Sequence, residues 1–170
     1  MEVTSQMTTA PVFTSADEAL AMLESALGYL AAADAAQLPT EIQARSLQVL
    51  ERADALATAA RAQVLGAFTA RRGYCEDADY SPRMWLINQT RVTRGTAAGH
   101  VGWARRAAAH PRLAAALAAG GISVSFARVI CDWTDKLPVD SRDEADRILI
   151  DAARSGLDLR DLTALAVQMY

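Results

Sequence analysis

The stretch Ser81-Pro82-Arg83-Met84-Trp85-Leu86-Ile87-Asn88-Gln89-Thr90-Arg91-Val92-Thr93-Arg94-Gly95-Thr96 decides the fold. Ser81-Pro82 has the form of an N-cap followed by a proline in the first helical turn, where the missing N–H had no partner to lose. The pattern predicts a short helix with Met84, Trp85 and Ile87 or Asn88 on more than one face and a brief break at Thr90-Arg91-Val92. A second helix follows, capped by Thr93 and running through Arg94 to about Ala109, ahead of Pro111. Short helix, tight turn and capped second helix is the helix-turn-helix pattern. In that arrangement Trp85, Leu86, Val92, Ala97, Val101 and Ala104 lock the two helices together, and Arg94, Thr96, His100 and Arg105 face outward.

Upstream, Ser15-Ala16-Asp17-Glu18 has the form of a capping box, and Leu20, Leu23, Leu27 and Leu30 repeat at helical spacing up to about Ala33. Pro39-Thr40-Glu41-Ile42-Gln43 restarts the pattern with a second box. From there Ile42, Leu47, Leu50, Ala53, Ala57, Ala60, Val64 and Ala67 form one apolar face up to a stop at Gly73. So long a helix is expected to pack along the first one, and to offer 40–72 as a surface for a homodimer. Downstream, Asp140-Ser141 and Asp158 read as N-caps, and the stripe Leu159, Leu162, Leu165, Ala166 is still running at Tyr170, as in a helix cut short. Ala, Leu and Arg dominate, which favours helix throughout. The expectation is an all-α chain: a disordered tail over 1–14, then a single helical domain over 15–170. Within it, 15–73 forms an N-terminal long-helix hairpin, 81–137 a helix-turn-helix-like multi-helix core, and 140–170 the truncated C-terminal helices.

Charge is distributed unevenly. Between Tyr80 and Cys131 lie seven arginines (Arg83, Arg91, Arg94, Arg105, Arg106, Arg112, Arg128) and no Asp or Glu, while the chain as a whole has 17 basic and 20 acidic residues. A block of one sign attracts polyanions, nucleic acid above all. The competing account is that these arginines pair with carboxylates of flanking helices inside the fold. Met1–Thr14 lacks the basic start and apolar run of a secretory signal, so a cytoplasmic protein is expected. No uncharged apolar stretch approaches the roughly 18 residues of a membrane span. Cys75 and Cys131 have neither disulfide-framework nor zinc spacing and are expected to be packing residues.

Little else points to chemistry. Asp132, Asp135, Asp140, Asp143, Glu144 and Asp146 read as a solvated face or helix-start carboxylates rather than a metal site. Gly95, Gly99 and Gly102 fall inside a helix pattern, where close helix packing is their expected use. His100 reads as a surface or groove-facing residue. His110 reads as a helix C-terminal residue favoured by the dipole, with no carboxylate near either in sequence.

Gly73-Tyr74, Trp85-Leu86, Thr90-Arg91-Val92-Thr93, Leu113 to Leu117, Ala119-Gly120-Gly121-Ile122-Ser123 and Ala127-Arg128-Val129-Ile130 together resemble the actinobacterial thirteen-E-twelve repeat family. This is the helical domain of unknown function 222 that usually precedes an HNH endonuclease domain. The likeness spans roughly Leu20 to Tyr170. The central part is also similar to the helix-turn-helix of ParB-type partition proteins, which implies Thr93, Arg94 and Thr96 as DNA contacts. Arg91 stands where the family turn commonly has Gly, and Phe126 where both families often have His. HNH chemistry needs a water-activating His and further metal ligands. With only His100 and His110 present, no catalytic residue, metal or cofactor is expected. The resulting expectation is a non-catalytic, DNA-binding or DNA-positioning module. Its contacts would be Arg91, Thr93, Arg94, Thr96, His100, Arg105 and Arg106, and its alternative is a dimerisation or protein-interaction module.

Overall fold

The computed structural model describes residues 13–169, and these are all-α, eight α-helices joined by short turns with no strand among them. The tail expected over 1–14 lies, for residues 1–12, outside the described residues. The chain divides into two compact units, one ending at Ala44 and one spanning Arg45–Tyr170. None of the described helices is long and apolar enough to cross a membrane.

The first unit holds α1 (Ala16–Ala32), a 3-10 turn at Ala35–Gln37 and the start of α2 (Thr40–Ala70). The Ser15 hydroxyl accepts the Glu18 N–H at 3.1 Å, as a cap should. The Glu18 carboxylate turns back one residue further than a capping box requires, accepting the Thr14 N–H at 2.9 Å and the Thr14 hydroxyl at 2.6 Å. At the second expected box, Gln43 does not cap Thr40. Its side-chain amide donates to the Ala35 and Leu38 carbonyls at 2.8 and 3.1 Å and ties the 3-10 turn to the helix start. No residue of α1 is buried, and Leu20, Leu23, Leu27 and Leu30 are all exposed.

The second unit contains the rest of α2, then α3 (Pro82–Thr90), α4 (Arg94–Ala109), α5 (Pro111–Ala118), α6 (Val124–Thr134), α7 (Val139–Arg154) and α8 (Leu159–Val167). Its main core joins Leu113 and Leu117 of α5, Ile130 of α6, Leu149 of α7 and Leu162 of α8 with Ala55 of α2. A second core joins Leu65 of α2, Leu86 of α3 and Ala97 of α4, with Trp85, Val92, Val101 and Ala104 packed against it. All six residues expected to lock the helix-turn-helix therefore do so.

The packing face of α2 is not the expected one. Ala55, Ala62 and Leu65 are buried, whereas Leu47, Leu50 and Val64 are exposed. Val64 lies nine residues from Ala55, about two and a half turns, so it points the opposite way. Period alone does not choose among the many alanines of this helix, and Ala55 and Ala62 take the interior together with Leu65. The stop of α2 also shifts: Arg72, not Gly73, adopts the left-handed conformation, with φ 55°. Gly73 is needed for space, since a Cβ there would run into the Phe68 ring.

Between α5 and α6 the Gly-Gly-Ile-Ser run has a clear use. Gly120 ends α5 with φ +62°, Ile122 is buried, and the Ser123 hydroxyl accepts the Phe126 N–H to start α6. The acidic loop after Gly73 is tied to α3, Trp85 donating to Asp77 at 2.6 Å and Asn88 to Asp79 at 2.7 Å. The start expected at Asp140-Ser141 falls inside α7, which begins at Val139 behind Pro138 with no side-chain cap. Asp158 caps α8 as expected, but α8 closes at Val167, short of the predicted run to Tyr170, itself outside the described residues. Burial pushes the Cys131 thiol up to about 12, in keeping with a packing residue; Cys75 is exposed, contrary to expectation.

Candidate nucleic-acid interface

The turn between α3 and α4 sets the site. Arg91 closes α3 in the left-handed region, with φ 59° and ψ 19°, the conformation that the glycine common at this place in the resembled family adopts without strain. Thr93 then caps α4, its hydroxyl accepting the Thr96 N–H at 3.2 Å and lying 2.9 Å from the Thr96 hydroxyl. Both threonines are exposed, and both are engaged in starting the helix.

Arg94 and Arg105 are exposed and share a face. Eleven residues make about three turns, which places them one above the other about 16 Å apart along the axis. Thr96 and His100 lie elsewhere, because two residues from Arg94 turn the helix by about 200°. The outward set thus splits in two. Gly95 and Gly102 flank Arg94 and Arg105 as bare, exposed backbone, and a Cβ at Gly99 or Gly102 would meet no atom within 4 Å. The helix packing expected of these glycines is therefore absent.

Arg106 leaves the candidate set. Its guanidinium lies 2.7 Å from Asp132 and 2.6 Å from Asp135. Burial opposes its charge, but the hydrogen bonds it donates to these two carboxylates outweigh burial and raise its pKa. Arg112 pairs with Asp143 at 2.7 Å on the surface. Among the described residues the other five arginines of the basic window, Arg83, Arg91, Arg94, Arg105 and Arg128, are exposed and form no ion pair. Most of the window is thus left unneutralised by the fold.

His110 was misread. It is fully buried at the junction of α4 and α5, with Nδ1 2.7 Å from Asp146 and Nε2 3.0 Å from Asp135. The carboxylates missing from its sequence neighbourhood come from α6 and α7. Asp135 is driven toward protonation by burial, but hydrogen bonds from His110 and Arg106 prevail and hold it below the usual carboxylate range. Asp140, Asp143 and Glu144 lie on a solvated face as expected, whereas Asp132 and Asp135 bind Arg106, and Asp135 and Asp146 bind His110, linking distant helices. His110 and Asp146 are sealed from solvent, whereas Asp132 and Asp135 reach the surface. No group of three or more His, Cys, Asp or Glu among the described residues could hold a metal ion.

His100 is half-buried and faces Arg61 of α2 and Arg128 of α6; burial, then these two cations, lowers its pKa. Arg61 was not a candidate. Its only local sign was the lack of any acid three or four residues away on its own helix. Compared with known proteins, the chain matches no family model, no curated protein and no solved structure.

Proposed function

We propose that this chain is a non-catalytic helical module that binds or positions DNA, of the kind that accompanies an HNH endonuclease, as its likeness to the thirteen-E-twelve repeat family implies. One observation carries this: five of the seven window arginines are exposed and, among the described residues, form no ion pair. Arginines serving as internal ion-pair partners would have found the carboxylates, as Arg106 and Arg112 do. The separation of Arg94 and Arg105, about 16 Å by helical rise, suits phosphates on either side of a major groove about 12 Å wide. Fluorescence anisotropy on generic duplex DNA tests the reading. Binding should weaken with added salt, with a log–log slope near about −4.5 if all five arginines meet phosphates. No binding at low salt would overturn it. Plasmid nicking by the purified chain with magnesium, manganese or zinc would overturn the non-catalytic part.

A second reading, self-association, has its own observation: Leu47, Leu50, Leu56 and Val64 of α2 are exposed apolar residues. Sedimentation velocity over a concentration series distinguishes the two, since a homodimer through α2 would appear without DNA.

A further inference from the structure

Three helices of the second unit converge on a small notch of about 40 Å³, lined by Thr58 and Arg61 of α2, Gly99, His100 and Trp103 of α4, and Arg128 of α6. Its polar chemistry is one-sided. Arginine and tryptophan can only donate hydrogen bonds, and no carboxylate lines the notch. Arg61 and Arg128 are exposed and form no ion pair among the described residues. The acid one turn along from Arg128, Asp132, is held by Arg106 at 2.7 Å. The Trp103 indole N–H is buried without an acceptor. The two guanidiniums make themselves felt at His100, which holds its proton less readily because of burial first and their charge second. Like charges gathered without a counter-charge form a site that an anion completes.

We propose that this notch takes one phosphate group, and that on the nucleic-acid reading above, on which this inference rests, the group is a backbone phosphate of DNA. Size sets the ligand class. By room for water-sized probes about 10 to 15 Å³ holds one water, so a notch of about 40 Å³ has room for about three, which matches the outer oxygens of one oxyanion. Arg61 and Arg128 supply planar forks matched to phosphate oxygens, and His100 supplies a further donor from a third helix. A phosphate gripped here would sit on a different side of α4 from Arg94 and Arg105. The DNA-facing surface would then extend beyond the second helix of the helix-turn-helix to α2 and α6.

The test uses two probes on the whole chain: inorganic phosphate at constant ionic strength, followed by the His100 ring signals in NMR, and duplex DNA, followed by anisotropy. Phosphate should shift the His100 signals saturably, and the Arg61→Gln/Arg128→Gln double variant should abolish that shift and lower DNA affinity by about tenfold or more. Gly99→Glu gives the same answer by another route. An added Cβ there meets no atom within 4 Å, so the fold accepts the substitution while its carboxylate competes with phosphate. DNA binding with His100 unmoved by phosphate would overturn the notch and leave the nucleic-acid reading standing. Phosphate binding with no DNA binding would uphold the notch as an anion site and overturn its assignment to DNA. Loss of DNA affinity in the double variant with the His100 shift retained would also overturn the proposal.

Discussion

His110 and Asp146 meet 2.7 Å apart in the interior, although 36 residues separate them in the chain. The pair joins the α4–α5 junction to α7, and Asp135 closes the other side of the ring at 3.0 Å. Removing one partner leaves the other buried without its hydrogen bond. His110→Ala and Asp146→Ala should each lower the unfolding free energy by about 1 to 3 kcal/mol in urea titrations. Losses below about 0.5 kcal/mol, the range of ordinary surface substitutions, would show that the network contributes little.

The same network makes acid stability readable. Asp135 has a folded-state pKa below its unfolded value, so its contribution is fully present above the ordinary aspartate value near 3.8 and is lost as pH falls through the lower folded value. Thermal melts of the wild type should drop through that acid window. Asp135→Asn should begin less stable at neutral pH and show a shallower decline, and parallel curves would be the contrary result.

Arg94 and Arg105 should separate from Arg106 in a paired experiment. Changing the first two to Ala is expected to cost DNA affinity, roughly 1 to 3 kcal/mol per base-reading contact and less for a phosphate contact, with the melting curve unchanged. Arg106→Ala should do the opposite: the fold weakens because Asp132 and Asp135 lose their cation. Equal melting losses from both variants would mean that all three are structural.

Substitutions on α2 report on self-association. Leu50 and Val64 are 38% and 68% exposed, so Leu50→Asp or Val64→Asp should leave the monomer's stability within about 0.5 kcal/mol. If sedimentation shows a dimer, these variants should dissociate it. A cooperative unfolding defect in either would place the side chain in an interior.

DNA binding should also depend on pH through His100. Its free-state pKa lies below 6.5, and a bound phosphate would raise it, so affinity should increase as pH falls through the interval between the free and bound values. His100→Gln should flatten this dependence in anisotropy titrations. An unchanged slope would remove His100 from the interface.

What the sequence made legible was local. The caps at Ser15, Ser81, Thr93 and Asp158 act within three residues of themselves, and each falls where the pattern placed it. The helix-turn-helix contacts were legible because α3 and α4 are neighbours with complementary stripes. The face of α2 was not, since alanines surround it and period alone cannot choose among them. His110 with Asp146, and Arg61 with His100 and Arg128, could not be read at all: these associations are made only when distant helices pack.

Arg91 brings stability and charge into opposition. Holding a side chain at φ 59° costs about 1 kcal/mol or more relative to glycine, while glycine would return a comparable amount through its freer unfolded chain. The first is the larger, so a side chain is held at position 91 at a small net cost. Arg91→Gly should therefore steady the turn slightly while removing one exposed positive charge, so what the backbone favours at that position and what its charge supplies point in opposite directions.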